Sequence, residues 1–491
     1  ASLLAGTGGD IGALTMATGS ILRLSNSGAG ALNVNGNATF NSGILKQAHL
    51  SGSWRAGQVY EMLKIVTGTG AGDPNVIGRV GNNTTQGNLY WGDGIDTSEN
   101  TLYFNPLAIN DFTIYAFTPN QLSTAWALGT LDPNSPLYDY FNNILLPGQV
   151  PNALGQASGA GHSTMLSGLQ IGAGSLGHLS LDRFSQKNAE TDEFQYPRQT
   201  VSRKLTADSA GDYAAAKRLW FSLGGQWSEV DGEGLNTARA QWKGPEATLG
   251  YDYQTPDGLL LGGAFQFAAQ DYEEDGGRHE ADIDRLSLAV YGGKALNFNG
   301  GRLRLTGGAS FSHYEIDSTR NIVLPAMFER LTADYDATAW NLFAEAAWGF
   351  APTESLWLEP FLGLSYTHLS VDDFAETGGL FALRGQTDDA DTLATTLGAR
   401  ASWQASERVS LNGKLAWEHV FGDRTPESDF AFNGSQYFRI QGAPLAQDSA
   451  LLGLGLTAEI NDRAAFALSY DGAFGSDSQR HSGTATLNIT W

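Results

Sequence analysis

Residues 467–491 read ALSYDGAFGSDSQRHSGTATLNITW, and their side chains alternate in character. The apolar positions of the last run are Ala485, Leu487, Ile489 and Trp491, and Thr or Asn stands between them. Successive side chains of a β-strand point to opposite faces. A period of two therefore predicts a strand with one apolar face and one polar face.

The same template fits the chain from Leu219 onward. Further apolar rows at spacing two are Phe466, Leu468, Tyr470 and Phe474; Leu452, Leu454, Leu456, Ala458 and Ile460; Val409, Leu411, Leu415, Trp417 and Phe421; and Trp340, Leu342, Ala344, Ala346 and Trp348. About twelve such segments can be counted, and barrels of outer-membrane type have an even strand number.

The connections between these segments alternate in length. Tight turns are predicted at 256–258, 299–300, 352–354, 406–407 and 461–462, and longer polar loops near 231–240, 273–281, 319–333, 373–387 and 423–444. Short turns on one side of the membrane and long loops on the other are typical of outer-membrane barrels. We therefore predict a 12-stranded antiparallel transmembrane β-barrel over residues 217–491.

Composition agrees with this interpretation. Charged residues make up 16% of the chain, and the net charge is -23, which argues against a nucleic-acid partner. No apolar run reaches the roughly 18 residues that suggest a transmembrane helix. Cysteine is absent, which avoids premature disulfides during passage through an oxidising periplasm. The sequence begins at Ala1, and we interpret it as a mature or truncated chain whose upstream part and signal peptide are missing.

Residues 1–117 follow a different pattern. Short alternating runs such as Leu22 and Leu24, or Leu32 and Val34, are separated by Gly, Asn and Ser. Short strands at regular spacing predict the coils of a parallel β-helix, with an isolated β-sandwich as the alternative. The runs lengthen over 60–104, which suggests a terminal capping unit.

Residues 118–216 are predicted to be a helical linker. Apolar spacing becomes helical after Pro119, and 157–184 read ASGAGHSTMLSGLQIGAGSLGHLSLDRF. Glycine costs about 1 kcal/mol in a helix relative to alanine. A helix with Gly168, Gly172, Gly174 and Gly177 is slim, as a narrow pore would require. We predict a pore-plugging helix at about 157–186.

Several predicted inward positions of the barrel are charged. They are Glu246, Arg304, Glu345, Glu359, Lys414, Glu418 and Glu459. Charged side chains are costly on the lipid face but are accommodated in a wet lumen. One interpretation is a generic polar lumen, and a second, compatible one is a set of contacts that holds the helix. Aromatic residues near strand ends fit the membrane interfaces or, for some, the lumen; these are Trp227, Trp242, Trp357, Tyr366, Trp403 and Trp417.

This order of parts resembles the monomeric (type Va) autotransporters. The resemblance rests on LWFSLGGQWSEVDGEG at 219–234, YDYQT at 251–255, the closing strands at 467–491, and TPNQLSTAWALGTLD at 118–132. It implies a barrel that inserts in the bacterial outer membrane and secretes its own N-terminal passenger, an adhesin or virulence-type surface protein. It also implies that 60–104 occupy the place of an autochaperone region.

The resemblance implies partners as well. They are outer-membrane lipids and lipopolysaccharide, the barrel assembly machinery and periplasmic chaperones, for a monomeric barrel without a cofactor. Ile489 and Trp491 match the family's terminal assembly signal, although Phe is commoner at the last position. Some members cleave the passenger at an Asn pair inside the pore. Asn142 and Asn143 form such a pair, but they precede the predicted pore helix, and a surface pair is the simpler interpretation.

Other chemistries find little support in the sequence. Gly172, Gly174 and Gly177 spell G-x-G-x-x-G, but no strand precedes them. His313, His368 and His419 lie in separate predicted strands without metal-ligand spacing. We predict no enzyme within this chain, and the absence of G-x-S-x-G disfavours an esterase. The alternative function is a porin-like channel, which does not explain the β-helix or the helical linker.

Overall fold

The computed structural model describes residues 2–6, 8–16, 21–25, 30–40, 48–51, 60–66, 70–71, 87–93, 100–106, 111–185, 216–256 and 258–491. Residues 186–215 of the linker predicted at 118–216 lie outside these residues. Much of 60–104 also lies outside them.

The N-terminal strands form a parallel β-helix. They are β1 (Ser2–Ala5), β2 (Asp10–Ile11), β3 (Leu14–Met16), β4 (Ile21–Ser25), β5 (Leu32–Val34), β6 (Ala38–Phe40), β7 (Ala48–Ser51), β8 (Tyr60–Ile65), β9 (Gly70–Ala71), β10 (Gly87–Asp93) and β11 (Asn100–Pro106). Three parallel sheets, β1-β4-β7, β2-β5-β8 and β3-β6-β9, stack successive coils. Leu32, Val34 and Leu63 are buried between them. Antiparallel β11 and β10 then follow β8, so the stack ends in a different pairing, and the predicted β-helix is confirmed.

Four α-helices follow: α1 (Pro119–Gly129), α2 (Pro136–Asp139), α3 (Val150–Ala157) and α4 (Ala160–Ser185), with shorter helical turns at Thr113–Tyr115, Tyr140–Ile144 and Pro147–Gln149. The Thr118 hydroxyl accepts a hydrogen bond from Gln121 N and caps α1, which also has proline in its first turn. Gly159, at φ 74°, separates α3 from α4 in a conformation that favours glycine. Among the described residues, no helix has both the length and the apolar character needed to span a bilayer.

Twelve strands close into an antiparallel barrel, as predicted. They are β12 (Ala216–Val230), β13 (Ala240–Gln254), β14 (Leu260–Glu274), β15 (His279–Phe298), β16 (Gly301–Leu324), β17 (Met327–Thr353), β18 (Leu356–Val371), β21 (Ala390–Ser406), β22 (Val409–Gly422), β25 (Asp448–Asn461), β26 (Ala464–Gly475) and β27 (Ser478–Thr490). The first and last strands, β12 and β27, pair with each other, so the barrel has no unpaired edge strand. The predicted alternation holds at Leu487 and Ile489, which are exposed outward, and at Thr486, which is buried.

The two ends of the barrel differ. At the turn end, neighbouring strands are joined tightly, for example by Asn299 and Gly300, both at positive φ, as a two-residue hairpin turn requires. At the loop end, 372–389 and 423–447 contain β19 (Phe374–Ala375), β20 (Leu383–Thr387), β23 (Glu427–Phe432) and β24 (Phe438–Gln441). These four strands pair into one sheet, which we call the loop sheet.

The predicted loop at 319–333 is instead a continuation of strands. β16 and β17 pair as far as Leu324 and Met327 and turn at only two residues. The inward side chains of this extension, including Ile322 and Leu331, are buried in a hydrophobic core shared with the helices before α4. The polar composition of 319–333 suggested a loop. The local sequence does not show that apolar residues from a distant part of the chain bury this hairpin.

Candidate functional site: a helix inside the barrel

Helix α4, which we call the pore helix, runs through the barrel lumen. His162 near its first turn lies at the loop end beside Glu376, and Arg183 near its last turn lies at the turn end beside Asp252. A helix of 26 residues is about 39 Å long at 1.5 Å per residue, enough to traverse a bilayer. It packs mainly against β14, β15, β16, β17 and β18.

Glycines permit this close packing. A Cβ atom on Gly168 would lie 2.2 Å from the Trp242 ring, and one on Gly172 would lie 2.5 Å from Arg285 Nη1. At Gly177 the Cβ would lie 2.6 Å from Asn341 Oδ1, whereas at Gly174 the nearest neighbour is His178, at 3.8 Å. Three of the four glycines singled out in the sequence therefore lie where larger residues would collide with the wall. Trp242 lies in the lumen, where its ring fills the groove beside Gly168. Trp227 and Trp417 are instead exposed outward.

The barrel wall donates hydrogen bonds to the helix backbone. The Tyr272 hydroxyl donates to Gly161 O at 3.0 Å, and the Tyr314 hydroxyl donates to Leu169 O at 2.9 Å. Arg285 donates from Nη1 to Gly172 O. All three donors are buried, so these bonds form away from bulk solvent, where polar groups need a partner.

A buried ion pair lies beside the start of the pore helix. Arg320 donates from Nε to Glu376 Oε1 at 2.8 Å and from Nη2 to Glu376 Oε2 at 2.5 Å. The same carboxylate lies 2.9 Å from His162 Nε2 and accepts from Leu383 N. His162 Nδ1 lies 3.0 Å from the Tyr335 hydroxyl.

Burial alone would raise the pKa of Glu376. The charge and hydrogen bonds of Arg320, with a contribution from His162, instead hold that pKa well below its ordinary value of 4.5. A lowered folded-state pKa contributes stability that is full above the unfolded-state pKa and is lost progressively as pH falls from that value through the folded-state value. The Glu376 pair therefore keeps its strength from neutral pH down to about pH 5.

A second ion pair holds the other end of the helix. Arg183 donates from Nη2 to Asp252 Oδ2 at 3.1 Å, and its guanidinium lies 4.7 Å from the Trp220 ring centroid. Asp252 also accepts from the Tyr291 hydroxyl at 2.5 Å and lies 3.6 Å from Arg218.

Four of the seven inward charged residues predicted from the sequence form one cluster with two residues that were not predicted. The four are Arg304, Glu345, Glu359 and Lys414. Glu345 and Glu359 both contact Arg304 and Arg400, with Arg400 Nη2 donating to Glu345 Oε2 at 2.6 Å. Lys414 Nζ lies 2.7 Å from Asp471 and 3.8 Å from Asp182 of the pore helix. Arg400 and Asp182 were missed, although Arg400 stands at an inward position of its strand and the alternation could have identified it.

The other three inward charges lie apart from this cluster. Glu246 lies 3.6 Å from Arg285, and Glu418 accepts from Thr396 at 3.5 Å and lines a cavity beside the pore helix. Glu459 is near the turn end of β25. Within the described ranges, no group of three His, Asp or Glu side chains is arranged to hold a metal ion.

We expect Glu345→Gln to lower the free energy of barrel unfolding by about 3 kcal/mol or more, because it leaves buried guanidinium charge with less compensation. Glu229→Gln is the matched control: its exposed pair with Arg239 contributes about 0–1 kcal/mol. Urea unfolding in detergent, followed by tryptophan fluorescence, measures both. Equal midpoints for the two variants would show that the buried cluster adds nothing to stability.

The helices before the pore helix cover the loop end of the barrel, and we call residues 111–158 the cap. Gln156 donates to Val323 O at 3.1 Å and accepts from Val323 N at 2.8 Å. Asn120 makes the same two-way contact with Gln441. Each amide thus completes the hydrogen bonds of a strand edge. Asn142 and Asn143 lie in the cap, outside the lumen, where Asn143 donates to Asp139.

Ile489 and Trp491 lie at the barrel seam. Ile489 pairs with Leu219, and Trp491 exchanges backbone hydrogen bonds with Lys217. Both side chains are exposed outward. His313, His368 and His419 lie on separate strands, and His368 and His419 contact Asp391 and Asp448.

Comparison with known proteins agrees with this architecture. Residues 219–471, slightly more than half of the chain, match the family model described as the autotransporter β-domain. Two sequences from Serratia marcescens named extracellular serine protease are each 29% identical, over 361 and 360 residues. Each match covers 72% of this chain and 32% of the relative, so the chain spans about a third of the length of these curated relatives.

Among solved structures, the translocator domain of autotransporter NalP from Neisseria meningitidis has a TM-score of 0.45 at 18% identity, covering 57% of this chain and 89% of that chain. The β-domain of the Bordetella autotransporter BrkA has a TM-score of 0.42 at 18% identity, covering 56% and 99%. The transport unit of AIDA-I from Escherichia coli has a TM-score of 0.41 at 14% identity, covering 60% and 94%.

Proposed function

This chain belongs to the autotransporter β-domain family, and from that premise we propose that its barrel lies in the bacterial outer membrane and carries its own N-terminal passenger to the cell surface. The observation that carries the proposal is the path of the chain. The pore helix enters the lumen at the loop end and leaves it near the turn end, where β12 also begins. The cap, which precedes the pore helix, lies at that loop end, as expected if the upstream chain has been carried outward.

The β-helix is the displayed part in this proposal. Its terminal antiparallel pair, β10 and β11, is suited to fold first on the outside and to template the parallel coils that precede it. Folding outside would bias movement outward without ATP. The autochaperone-like role of 60–104 and the division at 117 and 216 are part of this proposal.

The inward charges and the glycines have complementary roles. Glu246, Arg285 and the cluster around Glu345 supply a polar wall, and Gly168, Gly172 and Gly177 let the helix approach it closely. The resulting contacts hold the helix as a plug once the passenger is outside. A porin-like function is less supported, because the lumen holds a helix anchored at both ends.

Partners follow from the family. We propose that the barrel assembly machinery reads the outward row that ends in Ile489 and Trp491, that periplasmic chaperones hold the chain beforehand, and that the assembled barrel is a monomer surrounded by lipids and lipopolysaccharide. The protease name belongs to the Serratia relatives. For this chain we propose secretion of an adhesin-type or other virulence-type surface passenger, without assigning it an enzymatic activity.

Surface display tests the proposal. An epitope placed before residue 1 is expected on intact cells expressing the chain with a signal peptide, where added protease removes it. The same chain stopped at residue 215 lacks the barrel and should leave the epitope in the periplasm. Equal surface exposure of the two chains would contradict a translocator function for residues 216–491.

A further inference from the structure

The first turns of the pore helix lie in a closed chamber. His162, Ser163, Thr164 and Ser167 are at most 2% exposed. One side of the chamber is barrel wall, where His279 packs on His162 with ring centroids 4.3 Å apart. The other sides come from the two loops that carry the loop sheet.

Both loops touch the helix directly. Phe374 of β19 lies 4.5 Å from His162, measured between ring centroids, and stacks on Tyr335 at 4.4 Å. From the second loop, Ala443 N donates to Thr164 Oγ1 at 3.0 Å, and Ser167 Oγ donates to Ala443 O at 2.7 Å. The helix start is therefore enclosed by segments far apart in sequence.

Glu376 connects three of these parts. Glu376 directly follows β19 in the loop. Its carboxylate binds Arg320 of the β16–β17 hairpin with both oxygens and contacts His162 of the pore helix. Arg320 also donates to Gln156 O in the cap and to Phe381 O in the loop. Each of these groups is buried, so a missing partner would leave charge without compensation.

This enclosure has a steric consequence. Phe374 and Ala443 occupy the space beside the helix at the lumen exit, which is the space that a polypeptide leaving the barrel needs. The loop sheet can take its observed position only after that polypeptide has passed. Because Glu376 and Arg320 meet only when the sheet is in place, their ion pair marks the closed state.

We propose that the loop sheet is a latch that closes over the barrel mouth after secretion, and that Glu376 is the positioning residue that locks the pore helix through Arg320 and His162. This inference rests on the proposed translocator function and adds to it a device that makes retention of the helix stable. The helix is held not only by the wall beside it but also by loops that fold over its start.

Cysteine labelling tests the latch, because the native chain has no cysteine. Ala173, which is 1% exposed, is changed to Cys, and an impermeant maleimide is added to the purified chain, residues 1–491, in liposomes. Glu376→Gln is expected to speed labelling of that cysteine about tenfold or more, because it leaves Arg320 buried without its counterion. The double variant Glu376→Gln/Arg320→Gln also lacks the ion pair and is expected to label faster than the parent but more slowly than Glu376→Gln, because it leaves no buried charge uncompensated.

Glu427→Gln is the matched control, because Glu427 is also a loop-sheet carboxylate but pairs with the exposed Arg439. It should label at the parental rate. Native labelling of a folded Glu376→Gln barrel overturns the latch, and labelling of the double variant at the parental rate overturns the role of the ion pair. If Glu376→Gln does not assemble, Phe374→Leu carries the test, with faster labelling expected and the parental rate overturning the latch.

The proposed function is measured separately in the same liposomes. A barrel that begins at residue 186 and conducts no better than the intact chain would defeat the plugged translocator. Failure of the Glu376 experiment alone would leave the translocator standing without a latch.

Discussion

A chain that begins at residue 186, without cap or pore helix, is expected to show a single-channel conductance higher by roughly an order of magnitude than a chain that begins at residue 111. The reason is geometric. A closed 12-stranded barrel encloses a lumen wider than the 8-stranded barrels that side chains fill, and here a helix occupies that space. Both chains keep all twelve strands. A difference in conductance is therefore caused by the cap and pore helix and not by the barrel wall.

The measurement is made in planar bilayers with both chains folded in the same detergent. Heat-dependent migration on gels confirms that each chain forms a barrel. A large, stable conductance in the chain that begins at residue 111 would contradict the plug and favour an open channel. Low conductance in both chains would place the constriction in the barrel wall itself.

Alanine at Gly168 and alanine at Gly174 are expected to act in opposite directions. A helix gains about 1 kcal/mol when Gly becomes Ala, and Gly174 has room for the added methyl group, with its nearest neighbour 3.8 Å away. At Gly168 the methyl group would meet the buried Trp242 ring, and overpacking costs about 1–3 kcal/mol or more. Gly168→Ala should therefore loosen the helix, and Gly174→Ala should tighten it.

The frequency of brief full-conductance openings measures this difference. Openings should become about tenfold more frequent in Gly168→Ala, since about 1.4 kcal/mol corresponds to a factor of ten, and no more frequent than native in Gly174→Ala. Trp242→Phe in the Gly168→Ala background should lower the opening frequency below that of Gly168→Ala by relieving the collision with the larger ring. Equal opening frequencies in the two alanine variants would show that the glycines do not set how closely the helix fits.

The sequence predicts what is local. The period of two in each strand indicated the closed barrel, and the Gly-, Ala- and Ser-rich stretch at 157–184 indicated a slim helix close to its observed span, Ala160–Ser185. Inward charges such as Arg304 and Glu345 followed from the same alternation, because the direction of a side chain depends only on its place in its own strand. The inward direction of each of these side chains could therefore be predicted without knowing its neighbours in space.

Side-chain contacts across the lumen could not be predicted from the sequence. Glu376 stands in a polar loop, and neither Arg320 nor His162 is near it in sequence. The β16–β17 extension was assigned to a loop because its apolar residues, Ile322 and Leu331, are buried in a core whose other members, in the cap and around the loop sheet, are distant in sequence. Contacts of this kind depend on where the closed barrel brings distant segments, and a local pattern carries no such information.

The pore helix is anchored unevenly around its circumference. Its main contacts lie on β14 to β18, and two cavities, lined by residues such as Glu418, Arg480, Lys414 and Gly453, lie beside β21, β22, β25, β26 and β27. We therefore expect the barrel wall to be stiffer along the half that the helix braces than along the half beside these cavities. Under lateral pressure from the bilayer, the C-terminal strands should then move more than the braced half.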